Sequence, residues 1–415
     1  MSTTLASSSS APPDASSPGL FGGPTRYKVL GAISLSHFLN DATQAILAPL
    51  YPMFKGGFDL TFTQIGLITL TYQLIASFMQ PVVGWCTDRR PQPFSLPIGM
   101  AFTLSGVLML AAANSYSTVL IGAALMGAGS SVFHPESSRM ARLAAGGRFG
   151  LAQSLFQVGG NAGTSCGPLL ATIIVSLGQW SVALFSVLPL AAIALLTRIS
   201  LWARGQIRRS GQNAVGQALS PLPQGVVTRT IGILMLLVFA KDFYMAGLIS
   251  YLIFYLEYKF ALSVQAGQFY LFLFLFAAAA GTLLGGPIGD RIGRKRVICA
   301  SILGAAPFSL SLPYADLFWT GILVVIVGFI QASAFSTIVV FAQELMPGKV
   351  GTVAGLFFGL SFGAGGIGAA VLGRAADTWS IGFVYQFCSF LPLMGILAFL
   401  LPDPRKFERA RHPNP

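Results

Sequence analysis

Charge is scarce in this chain. Only 9% of its 415 residues are Asp, Glu, Lys or Arg, against about 25% in a typical soluble domain. So few charges cannot cover a water-facing surface, and a soluble globular protein is excluded. No Gly-x-x-x-x-Gly-Lys-Ser/Thr segment occurs, so ATP drive is not encoded. No nucleophile–His–acid constellation and no zinc-ligand spacing appears, so enzyme chemistry, cofactor and metal are not expected. Cys86, Cys166, Cys299 and Cys388 are scattered through apolar segments and read as small packers. The stretch "MSTTLASSSSAPPDASSPGLFGGP" lacks the charged n-region of a signal peptide and reads as a disordered tail.

What the chain has instead is apolar length. It is 54% hydrophobic with a mean hydropathy of +0.72. Runs of about 20 apolar residues recur, each suited to a helix crossing roughly 30 Å of hydrocarbon. Twelve spans are expected, at about 28–54, 62–86, 94–113, 117–138, 148–177, 180–201, 229–256, 262–288, 295–313, 316–342, 350–374 and 380–401. The expected organisation is a tail over 1–24, a six-helix half over 25–203, a polar central loop over 204–228, a second half over 229–402 and a tail over 403–415.

The net charge of +12 follows the spans. The termini, the even–odd loops and the central loop hold 21 of the 25 Lys and Arg residues. The opposite loops hold only Lys55, Lys259 and Arg374, and Lys241 lies inside a span. The positive-inside rule then places both termini of a multi-pass membrane protein in the cytoplasm. The basic balance reflects topology and the lipid bilayer, and no nucleic-acid partner is expected. A monomer is expected.

Two halves are related by a repeat. Asp41 and Asp242 stand 201 residues apart, and Gly84-x-x-x-Asp88-Arg89 and Gly286-x-x-x-Asp290-Arg291 stand 202 apart. "AQSLFQVGGNAG" (152–163) matches "AGLFFGLSFGAG" (354–365), again at 202. One shared offset implies two six-helix halves in parallel repeat, which resembles the major facilitator arrangement. The fold class expected is an all-α membrane protein of twelve transmembrane helices. "GPIGDRIGRKR" (286–296) resembles that superfamily's loop signature. Gly286 permits close helix approach, Asp290 can face a helix N-terminus of the other half, and Arg291 and Arg294 stay on the basic side. Gly84, Asp88 and Arg89 form a degraded first copy. A gating role is expected for both copies. "GTSCGP" (163–168) resembles an antiporter motif, but equally suits plain helix packing.

Ionisable groups inside a span are functional hypotheses by default, because burying one costs at least about 2.5–3.5 kcal/mol. His37, Asn40, Asp41 and Gln44 fall at i, i+3, i+4 and i+7, on one face of span 1. A carboxylate and an imidazole together are the side-chain types that proton coupling uses. A structural hydrogen-bond knot between helices is the plainer reading. In span 7, Lys241, Tyr244, Tyr251 and Tyr255 share a stripe. That stripe suits an anionic or polar ligand with an organic body. Alternatively, Lys241 latches the halves through Asp41 or Asp242. Asp242 points about 100° away from Lys241 and is expected to find its own partner. Gln73, Gln153, Gln157, Asn161 and Gln331 add amides at similar depth and suggest a hydrophilic cavity.

The stretches "HFLNDATQAILAPLYP" (37–52), "TQIGLITLTYQLIASFMQPVVGWCTDRRP" (63–91), "GAGSSVFHPESSRMARLAAGGRFGLAQSLFQVGGNAGTSCGPLLA" (127–171) and "PIGDRIGRKRVI" (287–298) point more narrowly. Together they resemble the fosmidomycin resistance protein family of bacterial inner-membrane exporters, most strongly across the first half. The resemblance implies proton-coupled efflux of small drugs. Fosmidomycin is a phosphonate–hydroxamate and anionic, which suits Lys241.

His134-Pro135-Glu136 ends span 4. His134 lies about 17 residues, or ~25 Å, from the outer face, which puts it at the cytoplasmic mouth. Pro135 cannot donate to Ser131, and Glu136 can pair with Arg139 at i, i+3. The segment reads either as an anchoring salt bridge or as a titratable inner gate. The functional expectation is a secondary transporter exchanging protons for small anionic or polar compounds. Its proton-coupling residues would be Asp41, His37, His134, Glu136 and Asp242. The substrate would meet Lys241, Tyr244, Tyr251, Asn40, Gln44, Gln73, Gln157, Asn161 and Gln331, with Arg139 among the gating groups. The alternatives are proton-coupled uptake of a sugar or organic acid, and a membrane sensor that transports nothing.

Overall fold

A computed structural model describes residues 24–47, 50–60, 62–210 and 222–403. The tails expected over 1–24 and 403–415 lie outside the described residues, save Pro24 and Asp403, and so does the middle of the central loop.

Twelve helical segments follow one another in the described residues. They are α1 (Tyr27–Gln44, continued by a short helix Tyr51–Gly57), α2 (Phe62–Arg89), α3 (Ser95–Ala111), α4 (Tyr116–Ala144), α5 (Phe149–Leu177) and α6 (Val187–Ser210, preceded by a 3₁₀ stretch Gln179–Ser186). The second half has α7 (Gln224–Phe260) and α8 (Val264–Ile292). It continues with α9 (Arg294–Tyr314), α10 (Leu317–Leu345), α11 (Val350–Thr378) and α12 (Ile381–Leu400). Among the described residues, nine helices are long and apolar enough to cross a membrane, and α3 is a shorter apolar one. The segments coincide with the expected spans, but several overrun them. α6 and α7 extend to Ser210 and Gln224, into the expected central loop.

Local chemistry sets the helix starts at one end of the bundle. Ser115, Ser263, Asp316 and Ser380 precede α4, α8, α10 and α12, and each side chain accepts from a backbone N–H in the first turn. Trp180, Trp319 and Trp379 stand exposed at that same end, as an interfacial aromatic belt does. The other end carries the arginine-rich loops and is called the basic end here. There Gly293 turns the chain between α8 and α9 at φ 102°, a conformation that favours glycine. This explains the second glycine of the loop signature.

Packing differs between the two ends. Near the basic end one apolar cluster joins both halves, with Leu30, Phe133 and Phe156 from the first half and Leu237, Phe341 and Phe357 from the second. At the opposite end each half has its own cluster, around Phe54 and Met126 in the first and around Leu252 and Phe274 in the second. The halves are therefore joined at the basic end.

Candidate functional site

The polar stripe of α1 folds as its spacing requires. His37 and Asn40 are buried, and the Asp41 side chain retains 14% exposure. Asn40 Nδ2 donates to Asp41 Oδ1 at 2.8 Å, Gln44 Nε2 donates to Asn40 Oδ1 at 3.0 Å, and Tyr72 of α2 donates to Gln44 Oε1 at 2.5 Å. His37 Nε2 lies 3.3 Å from Asp41 Oδ2. Its other nitrogen, Nδ1, stands 2.7 Å from the Phe156 carbonyl oxygen of α5. A carbonyl only accepts, so Nδ1 carries the hydrogen.

Glycines on α5 permit this geometry. A Cβ on Gly159 would fall 2.0 Å from the Ser34 carbonyl oxygen, and one on Gly163 would fall 2.3 Å from that of Phe38. α1 and α5 thus touch backbone to backbone. A Cβ on Gly160 would fall 2.4 Å from His37 Nε2 and 2.8 Å from Asp41 Oδ2. Gly160 leaves the space that the two ionisable groups fill. The sequence shows "VGGNAG" only as a repeat anchor. Two adjacent glycines inside a helix are costly enough to signal such an approach.

His134 is not at the mouth. Its Nε2 lies 3.8 Å from Asp41 Oδ1, and its ring is 5.2 Å from that of His37. Depth along one helix misleads here for a directional reason. Side chains lean toward the N-terminus of their own helix. α1 starts at the basic end, so Asp41 leans toward it, while α4 starts at the opposite end, so His134 leans away from it. The two side chains therefore close the gap. The start of α1 also meets the end of α4, where Arg26 N donates to Ala144 O at 2.9 Å. His134 Nδ1 donates to the Ser130 carbonyl at 3.0 Å. Pro135 sits within a continuous helix. Phe358 and Phe362 of α11 stand 5.2 and 5.0 Å from the His134 ring, so the cluster lies against the other half.

Glu136 separates from His134. It is fully buried, accepts from Ser95 Oγ at 3.2 Å and pairs with Arg139 at 3.3 Å. Arg139 also donates to Thr87 O at 2.7 Å. The expected pair forms, as an anchor tying α4 to α2 and α3. The two members of the His134–Glu136 segment face different neighbours and do not build one gate.

In the second half, Lys241 pairs with Asp242, and Ser361 of α11 donates to Asp242 Oδ2 at 2.5 Å. Asp242 thus has its own partner as expected, but Lys241 turns back to the same carboxylate. Lys241 is buried, 5.5 Å from the Phe335 ring. The tyrosines do not surround it. Tyr244 meets Ser309 Oγ at 2.6 Å, Tyr251 donates to Ala369 O at 2.6 Å, and Tyr255 stacks on Tyr385 at 3.8 Å. The stripe is long enough for its members to reach α9, α11 and α12 separately, so a cationic tip ringed by tyrosines is not assembled.

The amides divide likewise. Asn161 donates to Thr282 Oγ1 of α8 at 3.3 Å, across the halves. Gln73 lies against Gly366 of α11, where a Cβ would sit 2.4 Å from its Oε1. Gln157 Oε1 and both polar atoms of Gln331 are buried without hydrogen-bond partners. Gln153 accepts from Ser138 Oγ at 2.9 Å, and Ser138 accepts from Gln343 of α10 at 3.1 Å. Arg142 donates to Gln343 Oε1 at 3.3 Å. This chain across the halves was not legible, because nothing in sequence ties Gln343 to α4.

The two loop motifs behave as twins. Asp290 accepts from the backbone N–H groups of Gly150 and Leu151, both at 2.9 Å, at the start of α5. Asp88 accepts from Gly351 at 2.9 Å and Thr352 at 2.7 Å, at the start of α11. Each carboxylate meets the positive end of a helix dipole in the opposite half. Gly286 packs on the Gly150 carbonyl and Gly84 on that of Gly351, with room for no Cβ. Arg294 pairs with Asp290 at 2.6 Å and Glu344 at 3.0 Å. Arg89 lies over the Trp85 ring at 3.8 Å. Arg291 ends the turn that carries Asp290. A cleft of about 1050 Å³ opens beside this motif, lined by Arg294, Arg296, Pro307 and Phe399, away from the Asp41 cluster.

These features fit what known proteins show. The family model of the Major Facilitator Superfamily matches residues 33–370 and 233–414. The fosmidomycin resistance protein of Escherichia coli (strain K12) is 58% identical over 382 residues, covering 92% of this chain and 94% of that protein. The MFS-type transporter YfnC of Bacillus subtilis (strain 168) is 41% identical over 391 residues, covering 93% and 95%. Among solved structures, the E. coli fucose:proton symporter FucP superposes with a TM-score of 0.72 at 16% identity, over 91% of this chain and 99% of that one. The human organic anion transporter MFSD10 gives 0.69 at 19% identity, over 92% and 100%. These last two likenesses are of fold alone. With the loop motifs, the repeat and the two joined halves in place, the chain belongs to the major facilitator superfamily of membrane transporters, within the family of the fosmidomycin resistance protein.

Proposed function

We propose that the protein is a proton/drug antiporter that exports small anionic or polar compounds, fosmidomycin among them, by alternating access. One observation carries this reading. Asp41 is nearly sealed from solvent and faces two imidazoles whose Nδ1 atoms are already committed to backbone carbonyls. A proton arriving there has only the carboxylate and the two Nε2 atoms to share it. Its arrival changes the charge of a cluster whose His134 ring packs against Phe358 and Phe362 of the other half, and so changes the energy of keeping the halves together. Lys241 is the cation an anionic substrate would engage, by exchanging its bond to Asp242 for one to the substrate. The 58% identity to a protein named for fosmidomycin resistance supports the substrate class. In this reading the basic end is cytoplasmic, both termini lie there, and a monomer spans the inner membrane with its halves over 25–203 and 229–402. Asp88 and Asp290 then hold the cytoplasmic side closed. The test is drug-induced proton release from proteoliposomes. Asp41→Asn is expected to abolish it while folded protein still inserts, and release at the wild-type rate would overturn the proposal.

A further inference from the structure

We infer that His37, His134 and Asp41 form a binding site for a divalent cation of the Zn²⁺ class. The inference uses the cluster described above but does not rest on proton-coupled transport.

The donor atoms set the argument. One nitrogen of each ring and a carboxylate oxygen all lie within 4.8 Å of one another. Both Nε2 atoms are buried, on rings each 1% exposed, and neither completes a hydrogen bond. Both Nδ1 atoms face backbone carbonyls, at 2.7 Å from Phe156 O and 3.0 Å from Ser130 O. When neutral, each ring is therefore the tautomer whose Nε2 lone pair points inward. Metal-bound histidines are held in this way, with the second nitrogen donating to a carbonyl or carboxylate. With both rings neutral and the carboxylate ionised, three lone-pair donors converge.

A single proton satisfies only part of this set. Shared between His37 and Asp41, it leaves His134 Nε2 buried and unpartnered, and the reverse holds for His134. One metal ion satisfies all three donors at once. Two imidazoles and one carboxylate suit Zn²⁺ and its borderline neighbours, and disfavour Mg²⁺ and Ca²⁺, which take oxygen ligands. Metal–ligand bonds of about 2.0–2.1 Å in a tetrahedron place ligand atoms about 3.3–3.4 Å apart. His37 Nε2 stands 3.3 Å from Asp41 Oδ2, and His134 Nε2 stands 3.8 Å from Asp41 Oδ1. All donor pairs lie within 4.8 Å, so closing the tetrahedron on one carboxylate oxygen needs shifts of at most about 1.5 Å. The metal binds the ionised carboxylate and two neutral imidazoles, and any proton on the cluster leaves as it binds. One tetrahedral position remains for an oxygen ligand.

The experiment uses the full chain in detergent, with no histidine tag, and Zn²⁺ itself as the probe. Equilibrium dialysis is expected to give one tightly held Zn²⁺ per chain. His37→Gln, His134→Gln and Asp41→Asn should each weaken it by more than the 10- to 100-fold that losing a mere supporting contact costs. A chain with Cys86→Ser, Cys166→Ser, Cys299→Ser and Cys388→Ser combined should keep it. X-ray absorption on wild-type protein should show two imidazoles and oxygen around the metal, a readout that stands even where a variant fails to fold. Absence of stoichiometric binding would overturn the inference, as would sulfur ligation or unchanged affinity in the three variants. Zn²⁺ failing to bind while Asp41→Asn still abolishes proton release would refute the metal site and leave the antiport reading intact.

Discussion

Gly160→Ala puts one methyl group into the Asp41 cluster. The new Cβ would lie 2.4 Å from His37 Cε1 and Nε2 and 2.8 Å from Asp41 Oδ2. Comfortable contact begins near about 3.5 Å, so something must move by roughly 1 Å. The His37 ring has little room to retreat. It stacks on Phe156 at 4.1 Å and donates to the Phe156 carbonyl at 2.7 Å. Overpacking of this kind costs about 1–3 kcal/mol, and losing the ring's hydrogen bond adds about 0.5–1.5 kcal/mol. Gly159→Ala is the informative comparison. Its Cβ meets the Ser34 carbonyl at 2.0 Å, so whole helices must part instead of one ring. The expected result is a moderate loss of thermal stability for Gly160→Ala with near-complete loss of proton-coupled efflux. Gly159→Ala should instead show poor folded yield. Both are read by thermal unfolding in detergent and by proton flux in proteoliposomes, normalised to folded protein. Wild-type flux and melting in Gly160→Ala would refute the packing and the role drawn from it.

Asp88→Ala and Asp290→Ala should each weaken closure at the basic end by about 0.5–2 kcal/mol, the range for losing a helix cap. Cysteines placed along the inner path should then label faster, and unchanged labelling in both would count against a latch. Lys241→Ala leaves the buried Asp242 with Ser361 alone, a loss of about 3–5 kcal/mol, whereas Lys241→Ala with Asp242→Ala should cost much less. Equal melting temperatures for the single and double variants would contradict the pair. Tyr244→Phe should cost about 0.5–1.5 kcal/mol through its bond to Ser309 and leave substrate affinity unchanged. A tenfold weaker affinity would place Tyr244 at the substrate after all.

Direction and register were legible in sequence, and convergence between helices was not. Apolar runs located all twelve segments, and the 201–202 offset found both copies of the loop motif. Asp290 faces a helix N-terminus of the other half as its position suggested, because the signature fixes both the turn and the side chain. The α1 stripe was legible because four polar residues share one face. His134 was misplaced because depth was counted along one helix at a time, and opposed side chains on antiparallel helices lean toward each other. The tyrosines of α7 share a stripe in projection, yet reach Ser309, Ala369 and Tyr385 on different neighbours. Gly160 carries no side chain to attract notice, and what matters there is the volume it leaves free.

The contacts of Gly84 with Gly351 and of Gly286 with Gly150 set how the two halves can separate. Bare backbone rests on bare backbone at both contacts, and the side chains that cross beside them, Asp88 and Asp290, end on backbone N–H groups. Interdigitated surfaces must change rotamers before they part, and so come apart stepwise. Were the halves to part there, the glycines would need no rotamer change, and water could take over the amide groups that Asp88 and Asp290 release. Any rotamer change would fall instead on the apolar cluster that joins the halves nearby.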